Sequence, residues 1–241
     1  MTDRGTVGRG GLPPTVPGGI GHGLTGVVDA GTFLARLVRL DRGALVRLRP
    51  VSGSERTALW ARLPWGVLVV HTVAGGSPGD ATVSAGELLA ELTAGGSALP
   101  VRRDAQWRWP LPPPASRRVE TLPAAELRRV AEAAADALRD AAGRGVEGRA
   151  AGERVLRDAL LDHVPVVVTP DDVPTTPVEV PQRLVQGLVR MGFVGAPEAP
   201  GGVVQVRTVG SWVGLVGPYG AVWLQRVTDL TVRPILGQQS G

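Results

Sequence analysis

The chain has 241 residues, with 26 basic and 22 acidic side chains and a formal net charge of +4. Every basic residue is arginine and cysteine is absent, which excludes a lysine-dependent P-loop, a disulfide framework, thiolate metal sites and cysteine catalysis. No apolar run approaches the roughly 18 residues of a membrane-spanning helix, and the lack of cysteine agrees with a cytoplasmic location. The arginine bias and the absence of asparagine indicate GC-rich coding DNA, as in high-GC bacteria.

Residues 1–26 are rich in glycine and proline and are predicted to form a disordered tail. Residues 27–93 form the first predicted unit. A helix is expected over 29–40, because apolar residues recur at helical spacing there. Alternating patterns then predict a three-stranded meander over 44–49, 57–63 and 67–73. Ser84 and Glu87 have the spacing of a capping box and predict the start of a second helix.

Residues 94–121 break this regularity with tryptophan, proline and paired arginine. We interpret them as a linker that is polyproline II in part.

Residues 122–241 form the second predicted unit. Helical patterns and β-branched alternation predict the following series of elements: a helix capped by Thr121 that continues to about 142, a helix over 147–163, a strand over 164–169, a helix over 178–191, and strands over 203–209, 212–216 and 221–226. The expected fold class is therefore α+β, with two units of helices and an antiparallel meander joined by a proline-rich linker.

Catalytic residue patterns are scarce. The sequence has three histidines and lacks a Gly-x-Ser-x-Gly elbow and a His-Glu-x-x-His motif. One cluster of metal-ligating residue types occurs, namely Asp162, His163, Asp171 and Asp172, but its spacing is more typical of a helix end and a turn. We therefore expect no catalytic site, no metal and no cofactor, and a non-catalytic role is favoured over an enzymatic one.

Arginine is distributed unevenly. Residues 1–118 hold 14 arginines against 8 acidic residues, whereas residues 119–200 hold 9 against 13. Arg47 and Arg49 must share one face of a strand, as must Trp60 and Arg62. The linker adds a Trp-Arg-Trp sequence. The candidate binding residues are Arg47, Arg49, Trp60, Arg62, Trp107, Arg108 and Trp109.

Two binding functions fit this pattern. Aromatic residues with arginine are typical of protein interfaces, so the preferred hypothesis is an adaptor or chaperone-like protein that contacts a partner protein through the arginine-rich sheet face. Arginine with tryptophan on a sheet face can also bind nucleic acid. Residues 147–226 offer a second route to nucleic acid, because their element order resembles that of winged helix-turn-helix domains.

Overall fold

The computed structural model describes residues 21–144, 153–169, 176–195 and 202–226. Five α-helices and ten β-strands are assigned within these ranges, and the fold is α+β. In chain order the elements are α1 (Val27–Leu40), β1 (Leu45–Pro50), β2 (Arg56–Arg62), β3 (Leu68–Ala74), β4 (Ala81–Ser84), α2 (Ala85–Thr93), β5 (Arg117–Pro123), α3 (Ala124–Arg144), α4 (Glu153–Asp162), β6 (Val166–Val168), β7 (Val178–Val180), α5 (Gln182–Arg190), β8 (Val203–Val209), β9 (Trp212–Gly217) and β10 (Gly220–Gln225).

The strands of both predicted units belong to one antiparallel sheet. Its eight strands lie in the order β4-β1-β2-β3-β10-β9-β8-β5. The two meanders meet where β3 pairs with β10, with Val69 opposite Val222. We call this junction the seam. A second sheet contains β6 and β7 alone.

One face of the eight-stranded sheet carries the helices. Strand residues of alternate register, such as Leu48, Leu59 and Leu215, are fully buried there. The apolar faces of α1, α2, α3 and α5 complete this core cluster. We call this the inner face of the sheet and the opposite side the outer face.

Local patterns explain most element boundaries. In α1 the buried residues Phe33, Leu34 and Leu37 recur at helical spacing. At the start of α2 the Ser84 hydroxyl accepts a hydrogen bond from the Glu87 backbone N–H at 3.4 Å, which confirms the predicted cap.

Three elements differ from the sequence predictions. Strand β4 was not predicted. Strand β5 lies mostly in the segment that was predicted to be linker, and it includes Thr121, which was predicted to cap a helix; that helix begins at Ala124 instead. Residues Val178–Val180 were predicted to begin a helix, but they pair with Val166–Val168 as β7. Because the ring of Pro181 disfavours a helical conformation at the residue before it, and Pro181 lacks the backbone N–H that a continuing helix would use, the helix begins only after it, at Gln182.

The element order of residues 147–226 does not produce a winged-helix domain. In such a domain the terminal hairpin would stand apart as a wing. Here β8, β9 and β10 are interior strands of the eight-stranded sheet and pair with β5 on one side and β3 on the other. The segment therefore resembles winged helix-turn-helix domains in the order of its elements, but its strands are arranged differently in space.

The predicted tail falls largely outside the described residues, but its last six residues lie against the first unit and the start of the segment that follows it. Gly21 forms a β-bridge with Ala98, and Leu24 is buried in the core. His22 is also buried, and its Nδ1 accepts a hydrogen bond from the Leu24 backbone at 3.0 Å while its Nε2 donates to Gly96 O at 3.2 Å. Gly23 has φ +69, and a Cβ there would lie 2.1 Å from Gly76 O.

Candidate binding surfaces

Among the described residues, one connection crosses the outer face of the sheet. We call residues 101–116 the strap. It begins against β4, where the Arg103 backbone N–H donates to Thr82 O at 2.7 Å. It ends near β8, where Arg207 Nε donates to the Ser116 hydroxyl at 2.8 Å. The strap therefore crosses the sheet from one edge strand towards the other, which is the route needed to join β4 and α2 to β5.

The strap covers a second hydrophobic cluster. Trp107 and Trp109 pack with perpendicular rings whose centroids are 5.4 Å apart, and Trp107 Nε1 donates to Trp109 O at 2.7 Å. Beneath them lie outer-face residues of β2, β3, β9 and β10: Trp60, Leu68, Val70, Trp212, Val216, Ala221 and Trp223. Gly214 faces Trp223 across the register, and a Cβ there would lie 2.4 Å from the indole. Both faces of the sheet are thus covered by a layer of large apolar side chains.

Two of the predicted binding arginines hold the strap. The Arg47 guanidinium lies 5.8 Å from the Trp107 ring centroid and that of Arg62 lies 5.1 Å from Trp109, both within cation–π distance. Arg47 also donates two hydrogen bonds of 2.7 Å to the carboxylate of Asp80. This hydrogen bonding raises the pKa of the Arg47 guanidinium above its already high ordinary value.

The first residues of the strap are held to β4 by Asp104. Its Oδ1 accepts from the Thr82 backbone N–H at 2.7 Å, and its Oδ2 accepts from Arg102 Nε at 2.7 Å. The backbone hydrogen bond, with a smaller contribution from Arg102, lowers the pKa of the Asp104 carboxyl. A carboxylate in this position satisfies an edge-strand donor that would otherwise be unpaired.

The structure places all seven predicted binding residues on or over the outer face, but in two different roles. Trp60, Trp107 and Trp109 belong to the covered cluster, and Arg47 and Arg62 contact the tryptophans of the strap. Arg49 has a side chain that is 52% exposed, at 3.5 Å from Asp80. Arg108 is exposed and makes no hydrogen bond or ion pair with any described residue.

A pocket that the sequence analysis missed lies at the helix side of the seam. Its volume is about 460 Å³. We call it the seam pocket, and its lining comes from α1, β3, the end of α5 and the β9–β10 turn: Asp29, Thr32, Phe33, Arg36, His71, Met191, Gly192, Phe193, Gly195 and Tyr219. These residues are far apart in the chain, so no local pattern joins them.

The base of the seam pocket is aromatic. The rings of Phe33, His71 and Phe193 stack nearly parallel, with centroid separations of 5.9 to 6.3 Å. His71 Nδ1 lies 2.7 Å from Tyr219 O, and Arg36 donates to Met191 O at 2.7 Å. Both hydrogen bonds join one predicted unit to the other, so the pocket is shaped by the pairing of β3 with β10.

The cluster of possible metal ligands does not assemble among the described residues. Asp162 is hydrogen-bonded to Arg183, His163 is exposed at the end of α4, and Asp171 and Asp172 lie outside the described residues. Within the described ranges no group of three or more potential ligands could hold a metal ion. No helix in those ranges is long and apolar enough to cross a membrane.

Two family models match the sequence, and both describe domains of unknown function. DUF8010 matches residues 25–109 and DUF8185 matches residues 111–229. The boundary between the matches lies inside the strap. None of the curated proteins matches the sequence.

Solved structures give a clearer comparison. The chain is similar to the pol III beta protein of Caulobacter crescentus (14% identity, TM-score 0.51) and to the DNA polymerase III subunit beta of Pseudomonas aeruginosa (13%, 0.51). The matches cover 83% and 84% of this chain and 63% of each of those chains. The fold resembles that of bacterial sliding clamps.

A further solved structure is also similar to this chain. It is the C. crescentus beta sliding clamp with PEG bound to what is described as a candidate beta-motif tethering region (12% identity, TM-score 0.51). The match covers 83% of this chain and again 63% of the clamp. At such low identity the likeness establishes the fold alone, and the chain spans less than two thirds of the clamp's length.

Proposed function

We propose that this protein is a non-catalytic docking module with a sliding-clamp-like fold, and that its seam pocket receives an apolar side chain from a partner protein. The observation that carries the proposal is the open pocket of about 460 Å³ at the seam, with stacked aromatic rings at its base. Pockets of this size bind small ligands or single anchor side chains.

The base of the pocket is suited to a large apolar group. Phe33, Met191 and Phe193 are each at most 3% exposed, so their positions are fixed by the core. A partner residue that entered the pocket would contact the small exposed parts of Phe33 and Phe193 and the half-buried ring of His71. These groups are ordered before binding, and preorganised pockets of this kind form interface hot spots.

The rim of the pocket provides polar and exposed groups. Asp29 and Thr32 are exposed on α1, and Tyr219 is 56% exposed on the β9–β10 turn. Val28, next to Asp29, is 82% exposed. An apolar base with a mixed rim matches the anatomy of protein interfaces.

The clamp-like fold supports a docking role. The C. crescentus clamp is described as having a tethering region, and the related structures are DNA polymerase subunits. A protein of DNA synthesis is therefore the first class of partner to test for this chain. The strap makes the outer sheet face less suited to protein docking than the sequence suggested, because five of its seven candidate residues are already packed in the covered cluster or lie against the strap's tryptophans.

A blocking substitution tests the proposal. Peptides that bind the full chain would be selected from a display library of the genome that encodes it, and their affinities measured by fluorescence polarisation. Thr32→Trp places an indole at the pocket rim and should weaken selected peptides at least tenfold, as should Tyr219→Ala.

The chain offers a matched control in Thr93. Like Thr32, Thr93 is exposed on a helix and its hydroxyl donates to the carbonyl four residues earlier. Thr93→Trp should leave peptide affinity unchanged. Selected peptides that bind Thr32→Trp as well as the wild type would refute docking in the seam pocket.

A further inference from the structure

The charges of the sheet and of the helices are very different. The five helices contain ten arginines and ten acidic residues in sequence. The eight-stranded sheet contains two arginines in β1, two in β2, two in β5 and one in β8, against a single glutamate in β5. The excess of arginine over acidic residues is therefore found in the eight-stranded sheet and not in the helices. This excess is an observation separate from the seam pocket.

Much of this charge lies on the outer face over β1 and β2. Arg47 and Arg49 share that face by strand alternation, as do Arg56 and Arg62 with Trp60. The strap adds Arg108, which lies in the chain between the two tryptophans that contact Arg47 and Arg62. Asp80 is the acidic residue that contacts this group, through hydrogen bonds to Arg47 and a 3.5 Å ion pair with Arg49.

Three of these arginines remain available to a ligand. Arg49 is half exposed and shares Asp80 with Arg47, which makes the better hydrogen bonds. Arg56 is exposed and uses Nη2 alone, donating to Thr72 O at 3.0 Å. Arg108 alternates with Trp107 and Trp109, so it points away from the sheet, and it has no polar partner among the described residues. We call Arg49, Arg56 and Arg108 the arginine patch.

We propose that the arginine patch binds the phosphate backbone of nucleic acid. Arg49 pairs in register with Ala58, so Arg56 is its diagonal neighbour on β2, at about 7–8 Å between Cα atoms. Guanidinium groups at this spacing can bind successive phosphate oxygens, each through a fork of N–H donors. The partner is a polyanion because, among the described residues, the five outer-face arginines outnumber the carboxylates that act on them: Asp80 by direct contact and Asp104 by its charge near Arg47.

The same geometry determines which part of the nucleic acid the arginine patch contacts. Base stacking on protein needs an exposed aromatic face. Trp60, Trp107 and Trp109 are instead packed in the cluster under the strap, and two of the rings are already faced by Arg47 and Arg62. The patch therefore contacts phosphates alone, and single strands and duplexes bind with similar affinity.

A salt titration of the full chain tests this mode. Labelled single-stranded and duplex oligonucleotides of mixed sequence would be titrated by fluorescence polarisation between 50 and 200 mM salt. Three phosphate contacts predict a slope of about −2.7 in log K against log salt for duplex, which is a loss of about 40-fold across this range. The triple variant Arg49→Ala, Arg56→Ala and Arg108→Ala should reduce affinity at 50 mM salt more than tenfold.

A second triple variant controls for net charge. Arg39→Ala, Arg42→Ala and Arg129→Ala removes the same charge from exposed positions on the helix side. It should retain at least half of the affinity. Equal losses in the two triple variants, or no binding at 50 mM salt, would overturn the proposal.

Two further probes define the partner and the mode. Polyglutamate that competes as well as an oligonucleotide would show a general response to polyanions and overturn the assignment to nucleic acid. A strong preference for single strands, accompanied by quenching of tryptophan fluorescence, would overturn binding through phosphates alone. Thr32→Trp should leave oligonucleotide affinity unchanged, so this proposal and the docking proposal fail separately.

Discussion

The two faces of the eight-stranded sheet are covered in different ways. On the inner face, four helices contribute aliphatic side chains that are almost completely buried, such as Leu34, Leu88 and Leu184. On the outer face, one strap covers the sheet with indoles, and arginines lie against their rings. A strap has no second row of side chains, so it needs large residues to cover the strands beneath it.

Because of this difference, the two faces contribute unequally to stability and to binding. The inner face is made of close-packed aliphatic groups, and its contribution to stability comes from the hydrophobic effect and from packing. The outer face combines a smaller apolar layer with charge that remains in contact with water. Substitutions of charged residues on the outer face, which would alter binding, should therefore lower stability less than substitutions in the inner-face core.

The largest expected effect compares adjacent residues of β2 that point to opposite faces. Leu59 is fully buried on the inner face and Trp60 is half-buried on the outer face. Leu59→Ala should lower the free energy of unfolding by about 3–5 kcal/mol because it leaves a cavity in a close-packed core. Trp60→Ala should lower it by about 1–2 kcal/mol, since its site is partly open to water. Urea unfolding followed by circular dichroism measures both.

The reverse order of these two losses would show that the strap side carries the stability. A control is Ala58→Ser, on the outer face of the same strand, where a change of less than about 0.5 kcal/mol is expected for a half-buried small residue.

Local patterns in the sequence predicted most of the inner face. The periodicity of Phe33, Leu34 and Leu37 and the cap at Ser84 depend on residues close together in the chain, and the structure has both. The Arg-Trp outer face was also predicted from strand alternation at Arg47, Arg49, Trp60 and Arg62. Arg56 was missed, although the same alternation, continued back from Trp60, would have included it.

The features that the sequence could not indicate depend on contacts between segments that are far apart in the chain. The pairing of Val69 with Val222 creates the single sheet and the seam pocket, and no local pattern specifies it. Strand β5 is exposed along most of its length, so it lacks the apolar alternation by which strands are recognised. The strap was interpreted as part of a linker because its prolines and paired arginines interrupt the regular patterns on either side, whereas Trp107 and Trp109 pack it onto the sheet.

A smaller effect isolates the contact between strap and sheet. Arg62 lies over the Trp109 ring at 5.1 Å. A double-mutant cycle of Arg62→Gln and Trp109→Leu should give a coupling free energy of about 0.5–1 kcal/mol, the value of a partly exposed cation–π contact. The coupling should persist in high salt better than that of an exposed ion pair does, because it includes ring contact. Additive losses would show that the arginine does not stabilise the strap.

The smallest expected effect depends on pH and concerns the first residues of the strap. The Thr82 backbone N–H and, to a lesser degree, Arg102 lower the pKa of the Asp104 carboxyl in the folded protein. A carboxyl whose pKa is lower when folded stabilises the protein above its unfolded pKa, near 4, and this contribution is lost as the pH falls through the folded pKa. Asp104→Asn should therefore lower stability at pH 7 by about 0.5 kcal/mol, because the exposed ion pair is screened by solvent. The difference from the wild type should shrink below about pH 4. The midpoints of urea unfolding at pH 7 and pH 3 measure this stability difference, and Asp29→Asn is an exposed control. If the difference between Asp104→Asn and the wild type were the same at pH 3, Asp104 would act through its shape and not its charge.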